Sequence, residues 1–377
     1  MKKIWIFSIV ALFFMGCEGF LDTENLTKKD NSNFPKTSGD AETALTGIYA
    51  LLREMTPGED GQGFFLTAEL LSDDRFGGGG PDDRRMHAVD RLKKVDENMF
   101  SDVWKQDYRA IYRSNMLLNS LDGISWESQE TRNKIEGQAH FLRAYFYFDL
   151  VQQFGKIPLE TKGNFEVRTD YKRAPVADIY NQIVSDLRIA EPLLPTKPAN
   201  GGKASRDAAA HLLAKVYLTR ASAETDIRGM KPTDLDSCLY YAESVLPENG
   251  GTHKLMSNYA DLWDMKNQGN SEVIYAVQFT NNPLYNDDGN WFHLYWNAAM
   301  YELQPGMIRD IANGRPYGMI RPTDKTLLTL FDRKNDSRFY KSFKMAFYAN
   351  NKKTLPKWET LSYNGEVYFT PDPAKGQ

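Results

Sequence analysis

The segment 135–158 constrains the fold of this chain more than any other, because apolar side chains occupy nearly every face of the helix that it predicts. One face repeats every three or four residues, through Ile135, Ala139, Leu142, Phe146 and Leu150. The other faces carry Phe141, Tyr145, Tyr147, Phe148 and Val151. Such a helix needs neighbours on more than one side. Gly155 provides a C-terminal stop and Pro158 prevents the helix from resuming, so the sequence predicts the central helix of a stacked helical array.

The same segment resembles a run found in the SusD/RagB family of Bacteroidetes outer-membrane lipoproteins. The family run is written G-x-A-x-F-L-R-A-Y-x-Y-F-x-L-V-x-x-[FY]-G-x-[IV]-P-L. The matching residues are Gly137, Ala139, Phe141, Leu142, Arg143, Ala144, Tyr145, Tyr147, Phe148, Leu150, Val151, Phe154, Gly155, Ile157, Pro158 and Leu159. Two later stretches, 270–279 and 321–339, also look like family landmarks. The resemblance therefore covers essentially all of the mature chain.

The resemblance implies a fold and a function. The implied fold is mostly α, with tetratricopeptide-like helical repeats (an α-solenoid) packed against a loop-rich part that has few short strands. The implied function is non-catalytic binding of an oligosaccharide at the cell surface and its delivery to a TonB-dependent, SusC-like transporter. Uptake of a peptide or protein-derived nutrient is the alternative, as is a helical-repeat interaction protein whose aromatic residues are all structural.

The N-terminus predicts export and lipid anchoring. Lys2 and Lys3 precede an apolar run at 4–15 that has the length of a signal-peptide core. Gly16-Cys17 resembles a lipobox, so we expect a signal peptide at 1–16 and lipidation of Cys17 in the outer membrane, facing outward. A plain secretory leader with an incidental cysteine is the alternative. An extended tether at 17–36 would follow, and Cys238, the remaining cysteine, would have no disulfide partner.

The rest of the chain is predicted to form a single SusD-like domain at 37–377. Helical repeats occupy about 37–250, with further helices predicted from Thr37 or Ser38, over 99–121, over 175–194, over 204–223 and over 235–246. Ala139-His140-x-Leu142 recurs as Ala210-His211-x-Leu213, which is typical of a helical repeat. A loop-rich ligand-binding part follows at about 251–377, with a strand at 272–279 and a helix near 323–331. The resemblance also implies that the family's C-terminal segment is missing.

Composition and motifs argue against several other classes of protein. The net charge of −4 gives no electrostatic footprint for nucleic acid. The five histidines form no HExxH motif, and no P-loop or G-x-S-x-G elbow occurs. His140 and His211 occupy equivalent repeat positions, which favours a structural role. We therefore predict no enzyme activity, no cofactor and no metal site, although calcium binding by the Asp-Asp-Gly-Asn run at 287–290 is left open.

Two loops carry the candidate ligand-binding residues. Aromatic rings stack on the C–H faces of sugars, while amides and carboxylates bind their hydroxyl groups. One loop lies within 280–321 and offers Tyr285, Asn290, Trp291, Tyr295 and Trp296. The other, 72–85, offers Asp74 and Phe76. In the family, ligand contacts cluster in roughly these two regions. The alternative, that these rings pack the loops onto the helical core, has equal weight.

Overall fold

Among the residues that the computed structural model describes, six long helices follow one another in the first two thirds of the chain. The structure describes residues 34–54, 75–77, 98–163, 168–197, 201–223, 226–280, 282, 289–290, 308, 320–343, 351, 353, 362–363 and 366–367. The long helices are α1 (Ser38–Glu54), α2 (Asn98–Ser120), α3 (Gln129–Phe154), α4 (Val176–Leu193), α5 (Arg206–Ala221) and α6 (Asp234–Ser244). Their bounds agree with the sequence predictions to within a few residues, except that α3 begins at Gln129 and not at Ile135.

Local side-chain caps explain where several of these helices begin and end. At the start of α1, the amide of Asp40 donates to Thr37 Oγ1 and the amide of Thr37 donates to Asp40 Oδ2, both at 3.2 Å. This is the reciprocal pattern of a capping box. Ser128 caps α3 by accepting from the Thr131 amide at 3.1 Å. Gly155 ends α3 at a φ of 67°, a conformation that glycine adopts without steric cost.

Helix α3 is the centre of the array, as its sequence predicts. It packs against α1, α2, α4 and α5, and it buries residues on every face, including Phe141, Phe146 and Tyr147. Close packing explains why the family run has a glycine at Gly137. A Cβ there would lie 3.0 Å from Cβ of Leu193 and 3.2 Å from Cδ2 of Leu194, so the absence of a side chain lets the end of α4 approach.

The helices pack in chain order, which makes the fold an α-solenoid. Contacts join α2 to α3, α3 to α4, α4 to α5, and α5 to α6. The sequence repeat between α3 and α5 agrees with this arrangement, since its equivalent apolar positions are buried in both helices. The equivalent pairs are Ala139 and Ala210, Leu142 and Leu213, and Phe146 and Tyr217. The array therefore has one continuous apolar core, as stacked repeats require.

The remaining described elements are short and irregularly placed. They are β1 (Arg75–Gly77), α7 (Tyr259–Leu262), β2 (Ile320–Pro322), α8 (Asp324–Leu328), α9 (Arg338–Ser342), β3 (Ser362–Tyr363) and β4 (Glu366–Val367). The mostly α class with few short strands is thus confirmed. Helix α8 is shorter than the predicted helix at 323–331.

The predicted strand at 272–279 is wrong. No residue of this segment belongs to a strand. Its apolar side chains instead pack on the helical core through Ile274, Tyr275 and Val277. Strand propensity largely measures how side chains pack. The β-branched and aromatic residues of this segment therefore indicated buried side chains and not a strand.

Candidate ligand-binding site

A short β-ladder joins part of one candidate loop to the end of the other. Strand β1, within the loop 72–85, pairs antiparallel with β2, which begins at the C-terminal end of the loop 280–321. Phe76 lies opposite Arg321 in this register. The ladder therefore places Phe76 of one candidate loop beside the C-terminal end of the other at the level of the backbone.

The structure places only part of the predicted site. Asn290 is exposed and follows Gly289, whose φ of 80° turns the chain. Phe76 is placed through the backbone of β1. The residues outside the described part of the chain are Cys17, Asp74, Tyr285, Trp291, Tyr295 and Trp296. Their roles stay predictions.

The loop-rich part is anchored to the helical array by packing and hydrogen bonds. The ring of Tyr275 meets that of Phe141 edge-on, with centroids 5.5 Å apart. The amide and hydroxyl of Thr252 both donate to Asp207 Oδ2 at 3.0 Å, and Asp207 is fully buried at the start of α5. Burial raises the pKa of Tyr275 well above its usual value. These contacts tie the segment 252–277 to α3 and α5.

Buried charges between α3 and α4 are fully paired. Asp186 is inaccessible to solvent and accepts from Nη2 and Nε of Arg143 at 2.5 and 2.9 Å. His140 Nδ1 lies 2.7 Å from Asp186 Oδ1. Burial alone would raise the pKa of Asp186, but the bonds from His140 and Arg143 hold it below its usual range. His140 thus has a structural partner, in line with its predicted role.

The described residues contain neither a cluster of metal-ligating side chains nor a membrane-spanning helix. Within them, no three His, Cys, Asp or Glu side chains lie close enough to hold a metal ion together. No helix among them is both long and apolar enough to cross a bilayer.

A concave surface lies on the helical array itself. We call it the α4–α6 groove, since α4 and α6 form its sides and α5 its floor. It has a volume of about 590 Å³, and its lining includes Arg188, Tyr217, Arg220, Lys231, Tyr240 and Tyr241. Sequence reasoning missed this groove. The Tyr240-Tyr241 pair was an available signal. Adjacent residues of a helix do not face the same side, so a tyrosine pair predicts that one ring is exposed when the other packs on the core.

Comparisons with known proteins give a consistent result. A SusD-like family model, described as "Starch-binding associating with outer membrane", matches residues 20–218. SusD-like protein P25 of Formosa agariphila is 26% identical over 294 residues, which are 73% of this chain and 51% of that protein. SusD-like protein P2 of the same bacterium is 30% identical over 225 residues, which are 58% of this chain and 44% of that protein.

A solved structure extends the likeness to the fold. It is described as a laminarin-binding SusD-like protein and superposes with a TM-score of 0.65 at 25% identity. The superposition covers 81% of this chain and 66% of that protein. This chain spans about half the length of the curated relatives it matches.

Proposed function

We propose that this chain, which belongs to the SusD-like family, binds an oligosaccharide at the cell surface without breaking any bond in it. The observation that carries the proposal is the pairing of β1 with β2, because it holds Phe76 of one candidate loop beside the C-terminal end of the other. The laminarin-binding relative of similar fold supports an oligosaccharide as the ligand class.

The chemistry of the two loops fits this ligand class. Trp291, Tyr295 and Trp296 would offer ring faces to the apolar side of sugar units, and Asp74 and Asn290 would bind hydroxyl groups. Phe76 and Tyr285 would extend the aromatic surface. Each stacked ring and each hydrogen bond contributes little net free energy, since the sugar must shed its water. Affinity would therefore come from several sugar units bound at once.

We further propose that the protein works beside a TonB-dependent, SusC-like transporter. Lipidation at Cys17 would hold it on the outer membrane, facing outward, and the tether at 17–36 would let the domain reach the transporter. Captured oligosaccharide would then pass into the transporter barrel. The rigid helical array, with its continuous core, supplies a surface of fixed shape for such a contact.

The binding proposal can be tested with tryptophan substitutions. Isothermal titration with neutral glucose oligosaccharides would compare the wild type with Trp291→Ala and Trp296→Ala. We expect each substitution to weaken binding by about fivefold or more, because a stacked ring is lost. Trp263→Ala is a matched control, since Trp263 is 67% exposed on the loop-rich part but outside the two candidate loops.

Three outcomes would contradict the proposal. Full binding by both loop variants would remove the predicted site. Binding of peptides in place of oligosaccharides would favour the alternative of peptide capture. Hydrolysis of the oligosaccharide by purified protein, lost in Asp74→Ala, would show an enzyme.

The anchoring proposal has its own test. Cells fed a labelled fatty acid should label the wild-type protein but not Cys17→Ser, and the variant should leave the membrane fraction. Cys238→Ser serves as the control, since Cys238 is half-buried within α6. Equal labelling of the wild type and Cys17→Ser would contradict lipidation at Cys17.

A further inference from the structure

The α4–α6 groove contains a preformed aromatic corner. Tyr217 on α5 is almost fully buried and stacks on Tyr241 of α6, with centroids 5.9 Å apart and planes 9° from parallel. Tyr240 meets Tyr241 at nearly a right angle, with centroids 5.0 Å apart. Tyr240 itself is 67% exposed. Two rings are thus fixed by packing, and the third presents its surface to solvent.

The floor of the groove is held rigid by a buried ion pair. Arg220 donates from Nε and Nη2 to the two carboxylate oxygens of Asp234, at 2.8 and 2.5 Å, and both residues are almost inaccessible to solvent. The guanidinium carbon also lies 5.2 Å from the centre of the Tyr217 ring. Because bidentate pairs of this kind are strong and directional, the floor keeps its shape when the groove is empty.

The rim of the groove carries both hydrogen-bond donors and acceptors. Arg188 and Lys231 are exposed cations on the lining, and Arg188 lies close enough to Tyr241 to oppose the rise that burial causes in its pKa. Asp236 on the lining is an exposed anion, and Glu191 lies close enough to raise the pKa of Tyr241 further, beyond the main effect of burial. The rim therefore offers both hydrogen-bond donors and a carboxylate acceptor, which suit a ligand rich in hydroxyl groups.

A neutral sugar unit has the matching chemistry. Its hydroxyl groups both donate and accept hydrogen bonds, and its C–H face is apolar. The volume of about 590 Å³ falls within the range of small-ligand sites, which is roughly 300–1,000 Å³. We infer that the α4–α6 groove is a second binding site for an uncharged oligosaccharide, separate from the two candidate loops. The inference rests on the proposed function for the ligand class and adds a site on the helical array.

The test uses two exposed residues of the groove and a matched control. Tyr240→Ala and Arg188→Ala should fold like the wild type, because both side chains are exposed. The control is Tyr171→Ala, since Tyr171 is also exposed and also has an arginine, Arg168, 5.0 Å from its ring centre, but lies outside the groove. Titration calorimetry of the full chain would use laminarihexaose, maltohexaose and the acidic hexamer of galacturonic acid as probes.

The wild type should bind two molecules of a neutral hexamer. Tyr240→Ala should weaken one of these by about fivefold or more, while Tyr171→Ala leaves both unchanged. Loss of only the other binding event in Trp291→Ala would show that the groove and the candidate loops are separate.

Four results would overturn the inference. One is unchanged affinity and stoichiometry in both groove variants while Trp291→Ala loses binding, which leaves the proposed function standing. A second is a single binding event that only the loop variants affect. A third is preference of the groove for the galacturonate hexamer. The fourth is no binding of either neutral hexamer, which would count against the proposed function as well.

Discussion

The two sides of α3 bury carboxyl groups in opposite ways. On the side facing α4, Asp186 is an anion paired with Arg143. On the side facing α2, Asp107 is equally inaccessible, yet neither of its oxygens accepts a hydrogen bond from a donor among the described residues. Its neighbour there is the carboxyl of Asp149. One interface therefore neutralises its charge with a cation, and the other brings two acids together.

A shared proton explains the second arrangement. Burial, followed by the charge of Asp149, raises the pKa of Asp107 to about 10. Asp107 is then a neutral acid at physiological pH, and in that form it can donate a hydrogen bond to the carboxylate of Asp149. Asp149 also accepts from Gln153 Nε2 at 2.7 Å. Burial raises the pKa of Asp149 too, while the bonds from Asp107 and Gln153 and the charge of Lys215 oppose that rise.

The two interfaces should therefore respond to pH with opposite signs. The folded-state pKa of Asp186 is lowered, so its contribution to stability is present above about pH 4, the unfolded value, and is lost as the pH falls further. The folded-state pKa of Asp107 is raised to about 10. Its contribution is complete below about pH 4 and is lost as the pH rises from there toward 10.

The largest expected effect is that of Asp186→Asn. The amide keeps the shape of the side chain but leaves Arg143 as a buried cation without its anion, which should lower the free energy of unfolding at pH 7 by about 3–5 kcal/mol. Urea unfolding followed by circular dichroism would measure this. Asp122→Asn is the control, because Asp122 pairs with Arg132 at 2.8 Å on an exposed surface and should cost less than about 1 kcal/mol. Equal effects of the two substitutions would contradict the role of the buried pair.

The same substitution on the other side of α3 should have the opposite sign. Asp107→Asn replaces a neutral acid with an amide that donates to Asp149 without taking up a proton on folding. We expect the free energy of unfolding to rise by about 2 kcal/mol at pH 8, and its decline with pH between 5 and 9 to become shallower. Urea unfolding over that range would measure both. A loss of stability with an unchanged pH dependence would show that Asp107 and Asp149 do not share a proton.

The sequence predicted what depends on local pattern. The apolar faces of α3 indicated a central helix, and Thr37 was recognisable as a cap from its type and position. The start of α3 was missed, because Ser128 caps it well before the predicted start at Ile135. The choice between an ionised and a neutral buried acid was not predictable in this way. Asp107 and Asp186 both lie on predicted helices, and only the neighbours supplied by other helices, Asp149 in one case and Arg143 in the other, set their charge states.

The candidate site likewise has a part that local sequence pattern predicted and a part that depends on tertiary packing. Aromatic composition identified the two loops, but their pairing through Phe76 and Arg321 joins residues that no local pattern connects. The α4–α6 groove likewise depends on how three helices pack, so its lining is dispersed between Val184 and Tyr241. The prediction of a strand at 272–279 was wrong for a related reason. The apolar composition of this segment reflects the packing of Tyr275 and its neighbours on the helical core, and a sequence pattern does not say which element buries them.

The smallest expected effect separates the contribution of His140 from that of Arg143 to the paired side of α3. His140→Leu removes one of three hydrogen bonds to Asp186 and leaves the bidentate bonds from Arg143 in place, so the free energy of unfolding at pH 7 should fall by only about 1 kcal/mol. His140→Asn is the matched control, because its amide nitrogen reaches roughly the position of Nδ1 and should restore most of the loss. Urea unfolding measures both. A loss as large as that of Asp186→Asn would mean that the imidazole, and not the guanidinium, is the main partner of the buried anion.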